Sequence, residues 1–266
     1  VRDDATPGAR EPAAAPAGAL YDRIGASYVA YRRPDPRIAA LIDRAVGTAR
    51  SVVDVGSGAG SYEPPARSVA AVEPSWTMIR QRRPDAAPVV RAVAERLPFR
   101  EAAFDVALAV LTIHHWTDAD GGLLELARVA RRQVVLTWDP AVWSRFWLVA
   151  DYLPEIVEAE AAMATVGDVR RVLDVSDAGI VPIPWDCTDG FCGAYWRRPE
   201  RYLDPDARAA ISGLARCAPD VVAHAMERLR DDLASGRWTA RHGALLGRID
   251  VDLGYRLLVA RGARPV

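Results

Sequence analysis

The chain contains no lysine: its 34 basic residues are all arginine, set against 35 acidic ones. That absence excludes Schiff-base lysine chemistry. The formal net charge of -1 at pH 7 lacks the strongly positive footprint of nucleic-acid binders. Cysteine is scarce as well. Cys187, Cys192 and Cys217 form neither a CxxC pair nor a metal framework, and an odd number of thiols suits a reducing cytoplasm. No apolar run approaches the roughly 18–20 residues that span a bilayer. The first residues mix Ala, Pro and Gly with charges and have no apolar signal core, so 1–18 read as a disordered leader. The arginine bias reads as a mark of a GC-rich bacterial source.

What is present is enough for a sizeable core. Half of the 266 residues are hydrophobic, which suits one large α/β domain carrying a helical elaboration. Residues 20–46 have a helical pattern interrupted by the Pro34-Asp35-Pro36 turn, where Asp35 can cap the following helix. Short apolar runs follow at 51–55, 68–72, 89–93, 104–110 and 133–138, separated by helical segments at 76–83 and 122–131. Strands alternating with helices predict a parallel sheet covered on both faces. Beyond Pro140 the pattern changes: 141–175 and 199–235 look helical, 179–184 reads as a strand, and 254–260 as a closing strand. The expected domain therefore spans 19–266, with its core at 45–140 and helical insertions at about 141–178 and 186–250.

The stretch that carries chemistry is Asp54-Val-Gly-Ser-Gly-Ala-Gly60, with Glu73 nineteen positions after Asp54. Gly56 and Gly58 permit a sharp turn at a strand end and let backbone approach a ligand with no Cβ in the way. Such a loop at the carboxyl edge of a parallel sheet is where α/β folds bind ligands. An acidic residue at the tip of the next strand can accept hydrogen bonds from ribose hydroxyls, and Glu73 stands there. The dinucleotide fingerprint needs G-x-G-x-x-G and a pyrophosphate at a helix N-terminus. Here the spacing is G-x-G-x-G after an aspartate, which would repel pyrophosphate but accept a hydrogen bond from an ammonium group. A cationic amino-acid nucleoside fits better.

Five segments occur together in one order: Val52-Val-Asp-Val-Gly-Ser-Gly-Ala-Gly60, Ala71-Val-Glu-Pro-Ser75 with Met78, Ala94-Glu-Arg-Leu-Pro-Phe99, Phe104-Asp-Val-Ala-Leu-Ala-Val-Leu111 and His114-His115-Trp116. In this the chain resembles the class I S-adenosylmethionine-dependent methyltransferases, in particular the type 11 methyltransferase domain, specifically over 50–140. The resemblance implies a Rossmann-like, seven-stranded, mostly parallel sheet with helices on both faces, the last strand antiparallel and helical insertions as a lid. It implies that Asp54, Gly56, Ser57, Gly58 and Gly60 hold the methionine part of the cofactor. Glu73 would take the ribose, Pro74 and Met78 would flank the adenine, Ala94 and Glu95 would border its edge, and Ala109, Val110 and Leu111 would pass beneath the methionine. Tyr31-Arg-Arg-Pro34 makes Arg33 the candidate for the cofactor carboxylate. One departure stands out: many relatives have an Asp before the Ala-Glu pair to receive the adenine amino group, where this chain has Val93.

For the methyl acceptor the residues leave alternatives open. His114 or His115 could remove a proton from an acceptor, or one could shape the loop while the other is solvated. Two adjacent histidines without a third ligand do not make a zinc site, and no metal is expected. Asp139 could contact the acceptor or cap the next helix. Trp185 and Asp186, within Trp185-Asp-Cys-Thr-Asp-Gly-Phe191, could touch the acceptor or form an Asx turn. Among the aromatics of the second half, Trp143, Phe146, Phe191 and Trp196 are candidates to line an apolar acceptor pocket. Cys187 and Cys192 invite comparison with thiolate-held arsenite methylation, which their spacing does not establish. The expected activity is methyl transfer to a small organic acceptor with apolar or aromatic parts, by a cytoplasmic monomer or homodimer without nucleic-acid or membrane partners. Alternatives are an NAD(P)-dependent oxidoreductase and a cofactor-binding module without catalysis.

Overall fold

The apolar runs of the first half become β1 (Ser51–Val55), β2 (Ser68–Val72), β3 (Val89–Val90), β4 (Phe104–Val110) and β5 (Ala130–Trp138) in the computed structural model, which describes residues 21–22 and 28–264. The expected leader at 1–18 lies outside the described residues. With β6 (Leu173–Ile180) and β9 (Tyr255–Ala263) these strands form a seven-stranded sheet of order β3-β2-β1-β4-β5-β9-β6. Strands β1 to β5 pair in parallel, and β9 runs antiparallel to both β5 and β6. A separate two-stranded pairing joins β7 (Ile183–Pro184) to β8 (Asp250–Val251). Strand order reverses between β1 and β4, so the carboxyl ends of those strands open a crevice there.

Strands buried on both faces read as near-continuous apolar runs because alternate side chains enter different cores. Val52, Val106, Leu108, Val134 and Leu136 enter one core, while Val53, Val55, Ala107, Ala109 and Val135 enter the other. Helix Pro36–Val46 covers the first face with Ile38, Ile42 and Val46. Its start is set as expected: the Asp35 carboxylate accepts from the Arg37 N–H at 2.9 Å, and Pro36 supplies a helical φ. Helix Ala119–Val129 covers the second face with Leu123, Leu126 and Val129.

The second half departs from the sequence expectation in three places. Residues 173–178, expected at the end of a helical insertion, belong to β6. That strand lies at the sheet edge with Asp174, Ser176 and Asp177 among its residues and most of it exposed, which dilutes the apolar alternation that identifies a strand. The strand expected at 179–184 is divided between the end of β6 and β7. The helix expected over 199–235 is broken into Pro199–Leu203, Pro205–Ala209, Leu214–Arg216 and Pro219–Ala234. Pro199, Pro205 and Pro219 each open a new segment, since proline has no N–H to continue the preceding turn. In the first half, β3 and the helix Trp76–Ile79 are shorter than the expected 89–93 and 76–83.

These segments pack as a cap on the first core through an aromatic cluster in which Trp147 meets Tyr202 at 5.6 Å and Trp238 at 5.4 Å. Among the described residues, no helix is long and apolar enough to cross a membrane.

Candidate active site

At the end of β1 the chain turns through Gly56 at φ 72° and Gly58 at φ 54°, conformations that side-chain-bearing residues rarely adopt. The turn is tied to the tip of β2, where the Gly56 and Ser57 N–H groups donate to Val72 O at 2.9 and 3.1 Å. A Cβ on Gly56 would overlap Oγ1 of Thr112 on the neighbouring loop. Beneath the turn, Arg82 donates to Ser57 Oγ, to Gly58 O and to Glu63. Glu63 and Arg82 carry no motif signal in the sequence, yet they fix the loop from below.

Two carboxylates face the resulting cleft. Glu73 is 5% exposed and accepts from Gly58 N and Ser75 N, both at 2.9 Å. A carboxylate has about four acceptor positions, so two remain. Burial pushes its carboxyl above the ordinary range despite those two bonds. Asp54 is 4% exposed, and its side chain accepts no hydrogen bond from any described residue. Burial first, then the nearby Glu63, raises its carboxyl to about 8, with Arg82 opposing. A buried acid in this state takes on its charge readily only when a cation is brought beside it.

The cleft spans about 930 Å³, counting the open solvent at its mouth. Asp54, Gly56, Ser57, Gly58, Glu73, Pro74, Met78, Ala94, Glu95, Val110 and Leu111 all line it. Three expected residues do not. Ala109 is buried inside β4 with its side chain in the second core. Gly60 and the exposed Arg33 face a different groove beside the loop. The arginine that lines the cleft is Arg32. Its Nε donates to Asp189 Oδ1 at 2.6 Å, its guanidinium lies 4.8 Å from the Tyr28 ring centre, and its backbone bridges to Asp189. Adjacent arginines on an irregular segment point to different sides, so the pair Arg32-Arg33 could not be resolved by pattern. Glu95 is partly engaged, accepting from Thr117 N at 2.7 Å and Asp118 N at 3.2 Å. Tyr21, Tyr28, Tyr62, Ala92, Val93, Thr112 and Trp116 also line it.

A second cavity of about 490 Å³ adjoins the cleft and shares Tyr21, Arg32 and Leu111 with it. Leu111 stands at the junction with φ 51°, the left-handed strain often found where backbone serves a site. Trp138, Trp143, Phe191 and Tyr255 supply aromatic walls, and His114, Glu160, Cys192 and Ser212 supply polar ones. Of the residues expected at the acceptor, the structure brings Trp143, Phe191 and His114 here. His115 lines the first cleft. Phe146 and Trp196 are core: Phe146 packs between Trp143 and Trp147, and the fully buried Trp196 indole donates to Ile183 O at 3.0 Å. Trp185 and Asp186 are on the surface, Trp185 under Arg197 and Asp186 paired with Arg37 at 2.7 Å. Asp139 caps helix Pro140–Trp143 through Ala141 N at 3.0 Å and lines neither cavity.

The histidines are held neutral. Burial first, then Arg216 and Arg32, lowers His114 to about 3. Burial, His114 and the same arginines lower His115 well below its ordinary value. The Cys187 and Cys192 thiols are driven up by burial, away from thiolate.

A family described as a methyltransferase domain matches residues 53–137, the stretch from β1 through β5. The chain is also similar to the solved structure of a proposed methyltransferase from an antibiotic biosynthesis pathway of Anabaena variabilis. The two are 30% identical with a TM-score of 0.76, over 86% of this chain and 98% of that one. The chain belongs to the class I S-adenosylmethionine-dependent methyltransferases. This methyltransferase is an enzyme whose methyl donor is S-adenosylmethionine, and the oxidoreductase reading of its glycine loop falls away. Looser likenesses include a possible histamine N-methyltransferase of Thermotoga maritima, 20% identical with a TM-score of 0.45, over 59% of this chain and 84% of that one. Another is a geranyl diphosphate C-methyltransferase of Streptomyces coelicolor, 15% identical with a TM-score of 0.47, over 85% of this chain and 78% of that one. No curated protein matches the chain.

Proposed function

We propose that the 930 Å³ cleft holds S-adenosylmethionine and that the adjoining aromatic cavity holds a small organic acceptor with apolar or aromatic parts. The observation that carries this reading is the pair Asp54 and Glu73 on the tips of neighbouring strands, flanking a positive-φ glycine turn. Asp54, buried and with no donor among the described residues, suits the α-ammonium of the methionine part. Glu73 has two acceptor positions left for the ribose hydroxyls. Pro74, Met78, Ala92 and Ala94 make an apolar slot for adenine, and Arg32 is the cation placed to meet the carboxylate.

Methyl transfer is an in-line displacement at a sulfonium carbon with an activated leaving group. The protein's task is to hold the acceptor aligned and dry against the methyl group. The shared wall of Tyr21, Arg32 and Leu111 sets where the two ligands would meet. Titration with S-adenosylhomocysteine tests the reading. Wild type should bind, and Glu73→Ala should weaken binding about 10- to 100-fold, the worth of one or two hydrogen bonds to a charged group. Unchanged binding in Glu73→Ala would move the nucleoside elsewhere.

A further inference from the structure

Glu160 ends helix Glu155–Glu160 and projects into the aromatic cavity, a position no sequence motif marks. Its Oε2 accepts one hydrogen bond, from the Trp143 indole N–H at 3.1 Å. Among the described residues it has no ion-pair partner. The exposed Arg216 is close enough to act on it through space, yet that guanidinium donates to His115 Nδ1. Arg32, the other cation on the wall, is matched by Asp189. The remaining titratable groups around the cavity are Tyr21, His114, Cys192 and Tyr255, with Cys217 nearby. All of them are neutral at pH 7: His114 is lowered and the tyrosines and thiols are raised. Glu160 is therefore the one charged group lining this cavity with no ion-pair contact among the described residues. Trp138, Trp143, Phe191 and Tyr255 line the same cavity, and aromatic ring faces favour an organic cation.

We propose that this cavity receives a protonated amine and that Glu160 is the group that pairs with it and takes its proton during methyl transfer. The inference rests on the cofactor reading above. The ammonium enters beside the Glu160 carboxylate and passes one proton to it, leaving R–NH2 and Glu160–COOH. The nitrogen lone pair then forms the N–CH3 bond while the C–S bond breaks, its electron pair returning to sulfur. The products are R–NH2+–CH3 and neutral S-adenosylhomocysteine. Glu160 also lines a neighbouring groove with Pro140, Val157, Ala161 and Met163, which gives the proton a way out. Burial raises the Glu160 carboxyl to about 7, the Trp143 bond and Arg216 opposing, which matches a base working near neutral pH.

The test uses the full chain saturated with S-adenosylhomocysteine and two matched probe pairs, tryptamine against tryptophol and phenethylamine against 2-phenylethanol. Calorimetry should show the amines bound at least about tenfold more tightly than the alcohols, the scale of a desolvated charge pair. Glu160→Gln, which keeps an acceptor for Trp143, should remove that preference and leave S-adenosylhomocysteine affinity unchanged. Glu160→Asp should restore part of the preference, and a melting curve confirms that each variant folds. Amines binding no better than alcohols in wild type, both undetectable included, would overturn the inference. So would a preference that survives Glu160→Gln. Absence of S-adenosylhomocysteine binding in wild type would instead overturn the cofactor reading.

Discussion

Arg216 Nη2 lies 3.0 Å from His115 Nδ1, and a guanidinium has no lone pair to offer, so that ring nitrogen accepts. In the neutral ring the proton then sits on Nε2, which donates to Tyr21 Oη at 2.9 Å. Both nitrogens are engaged, and a fixed cation stands against protonation. His114 is lowered to about 3 by burial first, and its Nδ1 is buried without a partner among the described residues. Neither ring should titrate between pH 5 and 8. Imidazole NMR shifts, assigned with His114→Asn and His115→Asn, check this. A midpoint near 6.5 in either ring would contradict the arrangement.

Asp54 leads to a proton-release prediction. With its carboxyl at about 8 in the ligand-free cleft, most molecules hold the proton at pH 7. Binding of the cofactor ammonium requires the charged form, so about one proton should leave per ligand bound. Affinity for S-adenosylhomocysteine should fall about tenfold per unit as pH drops below 8, until the carboxyl of the complex itself titrates. Calorimetry at pH 7 in buffers of different ionisation enthalpy measures the count. A heat independent of buffer would show that Asp54 does not serve the ammonium.

Arg32 and Arg33 should separate cleanly. Arg33→Ala removes an exposed side chain outside the cleft and should change S-adenosylhomocysteine affinity by less than about twofold. Arg32→Ala strips the cation from Asp189, itself 1% exposed. It should lower the melting temperature, with a loss on the order of 3 kcal/mol for an orphaned buried charge. Arg32→Lys keeps the charge and isolates the contribution of the guanidinium to cofactor affinity. Equal effects of Arg32→Ala and Arg33→Ala on binding would remove Arg32 from the carboxylate site.

Glu160 also predicts a stability profile. Its folded value of about 7 lies above the ordinary 4.5, so between those values the native state keeps a proton that the unfolded state gives up. Stability contributed by this group is complete below about pH 4.5 and declines as pH rises through 7. Glu160→Gln escapes that loss. It should be more stable than wild type at pH 8, by on the order of 3 kcal/mol, and so melt at a higher temperature, with the gap closing toward pH 4.5. Parallel melting curves at the two pH values decide it.

The core of the fold was legible because its strands are buried on both sides: Val52 and Val53 enter opposite cores, and apolar residues dominate the run on either side of Asp54. The glycine loop was legible for a similar reason, since a turn glycine such as Gly56 beside a carboxylate such as Asp54 has few other uses at a strand tip. Arg32 and Glu160 were not. Which of two neighbouring arginines turns inward depends on Asp189, 157 positions away in sequence. Glu160 looks like any acidic residue in a solvated helix until Trp143 and Gly213 are seen beside it. The helical expectation for 173–178 failed because an exposed edge strand carries polar residues on both sides, as at Asp174 and Asp177.

The wall common to both cavities has a consequence for how the enzyme is filled. Tyr21, Arg32 and Leu111 cannot be shifted by one occupant without altering the surroundings of the other. Reciprocity then applies: whatever factor the nucleoside adds to acceptor affinity, the acceptor must add to the nucleoside. Where each occupant favours the other, expulsion of one spent molecule loosens the hold on its companion; where each disfavours the other, it tightens it, and the same three-residue partition carries either effect.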